Sequence, residues 1–244
     1  MPAPSDLATR ETLTFVTSHL PRGASLLEVG CGEGQLALEL QELDYKVVGL
    51  ESDRERACVT SRRGVPCVLA AWPMFESTVF DAIAFTRSLH HIEPLAESVA
   101  QARTLLHPSG VLLIEDFAVH EVSKRDLDWV CEVIRSSTAR SLLIDAPDEL
   151  VSQLRDSSDP IAVWTERHDH VHRFDAVESA VRKEFAIAYA STVPYFYRYF
   201  VYVLPPTEAA AKFLKTLFEE ELRLITSGEI VGLGRRIVGA PRLP

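Results

Sequence analysis

Three glycines at alternate positions are the most informative chemical feature of this sequence. They lie in the segment Glu28-Val29-Gly30-Cys31-Gly32-Glu33-Gly34, directly after a short apolar run. Glycine lets the backbone turn sharply and lets a bound ligand approach the main chain closely. A carboxylate at position 28 would repel a pyrophosphate but accepts hydrogen bonds from a ligand that carries a cation. We therefore predict a small-molecule site whose contacts are Glu28, Gly30, Cys31, Gly32 and Gly34.

The spacing of these glycines argues against a nicotinamide dinucleotide site. The dinucleotide fingerprint is Gly-x-Gly-x-x-Gly, which would place the third glycine at position 35. Position 35 is Gln, and the third glycine comes one residue earlier, at Gly34. Together with the acid Glu28, this spacing disfavours an oxidoreductase that uses a nicotinamide cofactor.

Apolar strands that alternate with helices must position the glycine segment. Apolar runs predict strands at 26–29, 47–50, 65–70, 80–85 and 111–116. Apolar spacing predicts helices at 6–20, 36–43, 54–63 and 95–106, the last followed by a turn at 107–110. Because the strands are apolar throughout, they are typical of a parallel sheet that is covered on both faces.

The regular alternation ends near Phe117. Residues 118–172 contain two predicted helices, at about 121–136 and 147–155, and no clear strand. We interpret this region as a helical insertion after the fifth strand or a substrate lid. The remaining pattern predicts a helix at 174–184, one or two strands within 185–204, a helix at 207–226 and a strand at 236–239. The last strands either form a hairpin or pair separately.

Over residues 22–117 the order of motifs resembles the class I S-adenosylmethionine-dependent methyltransferases. The second strand ends in an acid, Val48-Gly49-Leu50-Glu51, and the fourth, 80–83, is followed by Ser88-Leu89-His90-His91-Ile92. Residues 105–114 are similar to the family's next helix, turn and fifth strand. The resemblance implies an α/β fold with a doubly wound, mostly parallel, seven-stranded Rossmann-like sheet and helices on both faces. It implies a single domain over 1–244, with S-adenosylmethionine bound by residues 22–117 and a C-terminal part at 173–244.

The resemblance also assigns cofactor contacts outside the glycine segment. In the family the acid after the second strand holds both ribose hydroxyls, so Glu51 inherits this role, with Ser52 beside it. A carboxylate suits two neighbouring hydroxyl donors because it offers only acceptors. Many members carry an acid after the third strand that contacts the adenine amino group, whereas 69–72 holds none. The adenine is then held by backbone groups near Ala71 and by apolar contact with Trp72.

Two histidines after the fourth strand are the catalytic candidates. Methyl transfer from a sulfonium is an in-line displacement with a neutral leaving group, so the enzyme mainly aligns the reacting atoms. A base is needed only if the acceptor loses a proton. The family more commonly retains a histidine at the position of His91, which favours a structural role there and leaves His90 as the candidate base. The alternative is that one of the two caps or supports the next helix.

Charged residues at the ends of two strands have open alternatives. Arg87 follows the fourth strand and either lines the cofactor cleft or forms a surface ion pair. Glu115 and Asp116 end the fifth strand and either bind an amine or a metal or cap the next segment. We favour the cap.

Two further clusters are candidate substrate contacts. The imidazoles of His168, His170 and His172 would face one way on a strand, but no carboxylate–histidine motif accompanies them, so we predict no metal site. We predict His168 and His170 as substrate contacts. On a strand, the aromatic segment 195–202 would bury both its faces, which leaves Arg198 in need of a partner. We predict Tyr195 and Arg198 as substrate contacts, with an internal ion pair as the favoured alternative for Arg198.

The composition narrows the class of function. The chain has 244 residues, of which 47% are hydrophobic, and this supports a sizeable core and excludes a disordered chain. The formal charge of −10 argues against nucleic acid as a partner, because phosphate backbones need a basic footprint. The four cysteines have no disulfide or metal spacing, which is typical of a reducing cytosol. The sequence has no apolar signal core at its start and no long uncharged apolar run, so we predict no membrane partner.

These inferences predict a cytoplasmic and, from its arginine-rich composition, bacterial methyltransferase. It transfers methyl from S-adenosylmethionine to a small-molecule acceptor at O or N, a choice of atoms that rests on class frequency alone. The alternative is a protein of the same fold that binds the cofactor without methyl transfer, as a regulatory module or as a catalyst of another reaction. The small-molecule substrate is the predicted partner, and a homodimer is left open.

Overall fold

A computed structural model describes residues 3–147 and 149–242 and contains a seven-stranded sheet. The strands are β1 (Ser25–Val29), β2 (Lys46–Glu51), β3 (Cys67–Leu69), β4 (Phe80–Thr86), β5 (Leu106–Phe117), β6 (Phe185–Val193) and β7 (Gly234–Pro241). Their order across the sheet is β3-β2-β1-β4-β5-β7-β6, and the pairings from β3 to β5 are all parallel. This topology confirms the doubly wound, mostly parallel α/β fold, and it pairs the last two strands with each other.

The helices that the sequence predicts around the first five strands are all present. The α-helices are α1 (Pro4–Thr17), α2 (Gln35–Glu42), α3 (Arg54–Arg62), α4 (Leu95–Thr104), α5 (Lys124–Arg135), α6 (Ser137–Leu142), α7 (Leu150–Asp156), α8 (Pro160–Arg167), α9 (Phe174–Glu184), α10 (Phe196–Phe200) and α11 (Glu208–Thr226). Two short 3-10 helices cover Leu89–His91 and Val119–Glu121. No helix among the described residues combines the length and the apolar character needed to cross a membrane.

The buried centre of the sheet consists of the apolar runs that the sequence predicts. Leu26 of β1 and Ala82 of β4 have no exposed surface, and Leu40 of α2 packs into the same cluster. A parallel strand that is covered on both faces needs such a continuous apolar run. This core fixes the carboxyl ends of β1, β2 and β4, and the predicted site residues lie at these ends or directly after them.

The chain forms two compact units. The first, which we call the sheet unit, contains Glu11–Phe117, His172–Ser191 and the described part of Arg235–Pro244. The second, the helical unit, contains the described part of Met1–Arg10 together with Ala118–Val171 and Thr192–Gly234. The helical unit therefore contains nearly all of the predicted insertion at 118–172, together with residues 192–234 from the C-terminal part of the chain.

Two local predictions about secondary structure are wrong. Residues 118–172 hold four α-helices, α5 to α8, rather than two; residue 148 of the predicted helix 147–155 lies outside the described residues. The predicted turn at 107–110 is part of β5, where the pairing with β4 is irregular: Phe80 faces Leu106, whereas Ala82 faces Val111. The backbone of β5 thus advances five residues while β4 advances two, so the pairing of the two strands is interrupted there.

The aromatic segment at 195–202 is also not a strand. It forms α10, whose start is held by the buried carboxylate of Glu221 in α11. The backbone N–H groups of Tyr195, Phe196 and Tyr197 donate to this carboxylate at 2.6, 2.9 and 3.1 Å. The first N–H groups of a helix have no partner within the helix, so a distant acid supplies the acceptor that alternation along the segment cannot reveal.

Candidate functional site

The glycine segment forms a tight loop between β1 and α2. Gly30, Gly32 and Gly34 have φ angles of 74°, 58° and 74°, in the left-handed region. The N–H groups of Gly30 and Cys31 both donate to the carbonyl oxygen of Leu50, at 2.8 and 3.1 Å. Residues with a side chain rarely adopt this backbone conformation, so the path of the loop explains all three glycines.

Two of these glycines are closely packed, and the third faces open space. A Cβ atom at Gly30 would lie 2.6 Å from Cβ of Ser88, and one at Gly34 would lie 2.5 Å from Cγ2 of Thr60. The hydroxyl of Thr60 also donates to the carbonyl oxygen of Gly32 at 2.8 Å. A Cβ atom at Gly32 would meet no atom of the described residues within 4 Å, so a ligand can approach the main chain there.

Glu51 contacts this loop from the end of β2. Its Oε2 accepts a hydrogen bond from the N–H of Gly32 at 2.8 Å, and its Oε1 accepts one from the N–H of Asp53 at 2.9 Å. The hydroxyl of Ser52 lies 3.5 Å from Oε1. Because two backbone donors orient the carboxylate, its remaining acceptor sites are positioned to take hydrogen bonds from the hydroxyl groups of a ligand.

Glu28 is buried at the end of β1 and keeps one oxygen without a partner. The hydroxyl of Thr86 donates to Oε1 at 2.9 Å, whereas Oε2 has no hydrogen-bond partner among the described residues. Burial raises the pKa of Glu28 to about 7, although the hydrogen bond from Thr86 and the charge of Arg87 oppose the rise. A buried oxygen without a partner indicates a missing donor, and the ammonium group of a ligand would supply one.

The end of β3 offers main chain rather than an aromatic ring to a ligand. Ala71 is exposed, and its carbonyl oxygen accepts a hydrogen bond from the N–H of Met74 at 3.1 Å. The indole of Trp72 is buried 5.7 Å from the ring of Phe85 and donates to the carbonyl oxygen of Ser98 at 3.1 Å. Trp72 is therefore a core residue, and the structure does not support its predicted contact with adenine.

Arg87 and Glu115 belong to one ion-pair cluster in the sheet unit. Glu115 is buried, and its Oε1 accepts from the hydroxyl of Thr12 at 2.7 Å and from Nη1 of Arg87 at 3.1 Å. Its Oε2 pairs with Arg236 at 2.7 Å. Glu115 therefore holds two arginines, and its predicted role as a cap is wrong. Arg87 takes the ion-pair alternative and still exposes about a third of its side chain.

The loop after β4 brings His90 against Asp116 at the end of β5. The two residues are buried, and Nδ1 of His90 lies 2.6 Å from Oδ1 of Asp116. Asp116 also accepts from the N–H of Phe117 at 3.0 Å. His91 is exposed, and its ring packs 4.0 Å from that of His90. The predicted pair of histidines thus divides into a buried, acid-bound ring and an exposed one.

The predicted substrate contacts lie in the helical unit, and most have structural partners there. Nδ1 of His168 lies 2.8 Å from the carbonyl oxygen of Trp164, and its Nε2 lies 3.0 Å from the hydroxyl of Tyr199. Arg198 is buried, donates to a carbonyl oxygen of α1 at 3.3 Å and lies over the ring of Tyr197 at 5.2 Å. His168 and Arg198 therefore stabilise this unit.

Tyr195 and His170 differ in exposure. The ring of Tyr195 is buried 5.8 Å from that of Tyr199, whereas His170 is exposed beside Asp169. Residues 168–173 connect α8 and α9 as a turn, so the three imidazoles do not lie on a strand. Among residues 3–147 and 149–242, no three His, Cys, Asp or Glu side chains are grouped to hold a metal ion.

Four contacts of the site escaped the sequence analysis, in which Asp116 and His172 are candidates for other roles. Thr60 and Thr86 support Gly32 and Glu28, Asp116 binds His90, and His172 donates its N–H to the carbonyl oxygen of His90 at 2.9 Å. Each acts on a residue far away in the sequence, so no local spacing marks it. A polar residue in an apolar strand, as at Thr86 and Asp116, is the one available signal, because a buried polar group needs a partner.

Comparison with known proteins decides the family. A family model described as a methyltransferase domain matches residues 5–181, well over half of the chain. The chain belongs to this methyltransferase family. Its fold and family are those of the class I S-adenosylmethionine-dependent methyltransferases, which confirms the predicted family and S-adenosylmethionine as the cofactor.

Individual relatives of this methyltransferase are distant. A probable S-adenosylmethionine-dependent methyltransferase from Mycolicibacterium smegmatis is 30% identical over 103 residues, which cover 40% of this chain and 39% of that protein. The chain spans less than two fifths of the length of the curated relatives it matches.

Solved structures share the fold over nearly the whole chain. The PH0226 protein from Pyrococcus horikoshii matches with a TM-score of 0.57 and 14% identity, over 98% of this chain and 90% of that one. Phosphoethanolamine N-methyltransferase 2 from Haemonchus contortus, in complex with S-adenosyl-L-methionine, has a TM-score of 0.57 and 13% identity, over 96% and 53%. At these identities the matches establish the fold alone.

Proposed function

We propose that this methyltransferase binds S-adenosylmethionine at the glycine loop and transfers its methyl group to an O or N atom of a small molecule. The observation that carries the proposal is the contact between Glu51 and Gly32, which places an oriented carboxylate beside open main chain. Glu51 would hold the ribose hydroxyls, Oε2 of Glu28 the ammonium group and the main chain at Ala71 the adenine. The other candidate contacts are Gly30, Cys31, Gly34 and Ser52.

The chain's contribution to the reaction is mainly positioning. The bound cofactor supplies a methyl group on a sulfonium, which leaves as a neutral thioether. Holding two reactants in line is worth up to about 7–11 kcal/mol, because translational and rotational freedom is lost on binding rather than in the reaction. The glycine loop is closely packed, and its N–H groups donate to the carbonyl oxygen of Leu50 and to the carboxylate of Glu51. These contacts provide a rigid support for the alignment of the reacting atoms.

The net charge supports a small-molecule acceptor. The chain carries 35 acidic and 25 basic residues, whereas nucleic-acid substrates need a basic surface. Direct evidence for transfer is the formation of S-adenosylhomocysteine in the presence of small alcohols, phenols, carboxylic acids and amines. We expect turnover with at least one oxygen or nitrogen acceptor. Cofactor binding without turnover on any of them would favour the alternative of a binding module.

Cofactor binding is expected to release protons near pH 6. Because the pKa of Glu28 in the free protein is about 7, its carboxyl is mostly protonated at pH 6, whereas an ammonium group binds the ionised form. Cofactor affinity should therefore fall as the pH falls below about 7, with up to about one proton released for each molecule bound.

Calorimetric titration at pH 6 in two buffers of different ionisation enthalpy measures this proton release. The Glu28→Gln variant removes the titrating group and keeps its volume, so its release should be close to zero. Glu39→Gln, a change in the nearby helix α2, is the matched control and should release as many protons as the unmodified protein. Equal release by all three proteins would show that Glu28 does not bind the ammonium group.

A further inference from the structure

His90 and Asp116 form the one strongly buried histidine–carboxylate pair in the described part of the sheet unit. His90 is 5% exposed and Asp116 1% exposed, with Nδ1 and Oδ1 2.6 Å apart. The other oxygen, Oδ2, accepts a hydrogen bond from the N–H of His90 itself at 3.1 Å. One carboxylate therefore fixes both the backbone and the ring of His90.

This geometry determines which ring nitrogen carries the proton. An ionised carboxylate can only accept, so Nδ1 must donate, and in the neutral ring Nε2 is then an acceptor with a free lone pair. Nε2 has no hydrogen-bond partner among residues 3–147 and 149–242, so it is the ring nitrogen that remains available for a further partner. His90 as a whole keeps 5% of its surface exposed.

The His90 loop lies beside the proposed cofactor loop. Ser88 donates its hydroxyl to the carbonyl oxygen of Val29 at 2.6 Å, and its Cβ lies where a side chain at Gly30 would be. His172 supports the other side of the His90 loop. Its N–H donates to the carbonyl oxygen of His90, and its Nε2 lies 3.0 Å from the carbonyl oxygen of Ile92. The loop that carries His90 is thus anchored at Ser88, beside Gly30, and at His172.

We propose that His90 is the general base for a hydroxyl acceptor and that Asp116 is its positioning residue. This inference rests on the proposed function. As the acceptor oxygen forms its bond to the methyl carbon, the carbon–sulfur bond breaks and its electron pair stays on sulfur. Nε2 of His90 takes the hydroxyl proton, and Asp116 pairs with the resulting imidazolium until water removes that proton. The products are a methyl ether, the neutral thioether and one proton.

A hydroxyl acceptor is favoured because it is the acceptor that needs such a base. A neutral hydroxyl is a weak nucleophile and loses its proton during transfer, whereas a neutral amine attacks through a free lone pair. Besides fixing the backbone of His90, a buried carboxylate aimed at Nδ1 stabilises the charge that a proton transfer creates on the ring. The titratable neighbours of the ring are Asp116 and His91, and Phe117 covers it at 4.3 Å.

Nitrogen NMR of the histidine rings tests the arrangement without any acceptor. In the ¹⁵N-labelled protein, with His90 assigned through His90→Gln, we expect the neutral ring to carry its proton on Nδ1. Asp116→Asn should shift the proton toward Nε2, because an amide, unlike a carboxylate, can also donate to Nδ1. The matched control is Asp81→Asn, which changes an acid at the opposite end of β4 and should leave the His90 signals unchanged. A proton on Nε2 in the unmodified protein would overturn the proposal.

Kinetics test the role in transfer, with catechol, benzyl alcohol and benzylamine as acceptor probes. We expect S-adenosylhomocysteine to form faster with a hydroxyl probe, and His90→Gln to lower kcat/KM by about 10²- to 10⁴-fold while cofactor affinity stays unchanged. The acidic limb of the pH profile of kcat/KM should disappear in the variant. His107→Gln, on the exposed amino end of β5, should behave as the unmodified protein.

The failure of this inference differs from the failure of the proposed function. Absence of cofactor binding in the unmodified protein would contradict the proposed function itself. Cofactor binding with transfer to benzylamine alone, or with an acidic limb that persists in His90→Gln, would leave the proposed function intact and overturn the assignment of His90 and Asp116.

Discussion

Replacing Glu51 with alanine is expected to weaken the binding of S-adenosylmethionine by about 100-fold or more. Each hydrogen bond from a ribose hydroxyl to the carboxylate contributes about 1.5–3 kcal/mol, and about 1.4 kcal/mol corresponds to a factor of ten in affinity. The variant also removes the acceptor for the N–H groups of Gly32 and Asp53, so the glycine loop loses a constraint. Calorimetric titration with the cofactor measures the change.

A neighbouring acid provides the control for this experiment. Glu55→Ala removes an exposed carboxylate from the first turn of α3 and changes the net charge by the same amount. Its affinity for the cofactor should match that of the unmodified protein. If Glu51→Ala remains folded and binds the cofactor as tightly as Glu55→Ala, Glu51 does not hold the ribose hydroxyls. This conclusion holds even if the glycine loop changes its conformation in the variant.

Replacing Glu115 with alanine is expected to lower the free energy of unfolding by about 3–5 kcal/mol. Removal of one partner from a buried ion pair leaves the other charge uncompensated, which has a cost of this size. Here two arginines lose their partner: Arg236, which is 12% exposed, and Arg87, which is 35% exposed and regains more solvent. Thr12 of α1 loses its acceptor as well.

Denaturation by urea, followed by circular dichroism, measures this loss of stability. The matched control is Asp128→Ala, which breaks an exposed pair with Lys124 in α5 and should change the stability little. A loss for Glu115→Ala no larger than that for the control would show that the cluster does not stabilise the sheet unit. Glu115→Gln keeps the volume of the side chain, so its loss of stability should lie between those of Glu115→Ala and Asp128→Ala.

The features that the sequence predicts correctly are those set by local sequence. Strands β1, β2 and β4 each contain a buried apolar run, and the positive φ angles of the loop need glycine at its three alternate positions. Glu51 lies at the end of β2, and its position next to the loop follows from strand order alone, because β1 and β2 are parallel neighbours.

The features that the sequence misses depend on residues far apart in the chain. The start of α10 is held by Glu221, and without that acid the alternating aromatics around Tyr197 look like a strand. Trp72 follows β3, where a ligand contact is expected, but its indole finds an acceptor at Ser98 in the core. Asp116 serves a histidine of another loop, so only the folded chain shows that His90 has a partner.

The most direct test of the central claim is a calorimetric titration of the unmodified protein with S-adenosylmethionine, with NAD as the matched competitor. The claim is that the glycine loop and Glu51 form an adenosyl-cofactor site. It predicts one molecule of S-adenosylmethionine bound for each chain, displacement by S-adenosylhomocysteine, and no heat of binding with NAD. Binding of NAD but not of S-adenosylmethionine, or binding of neither at millimolar concentration, would contradict it.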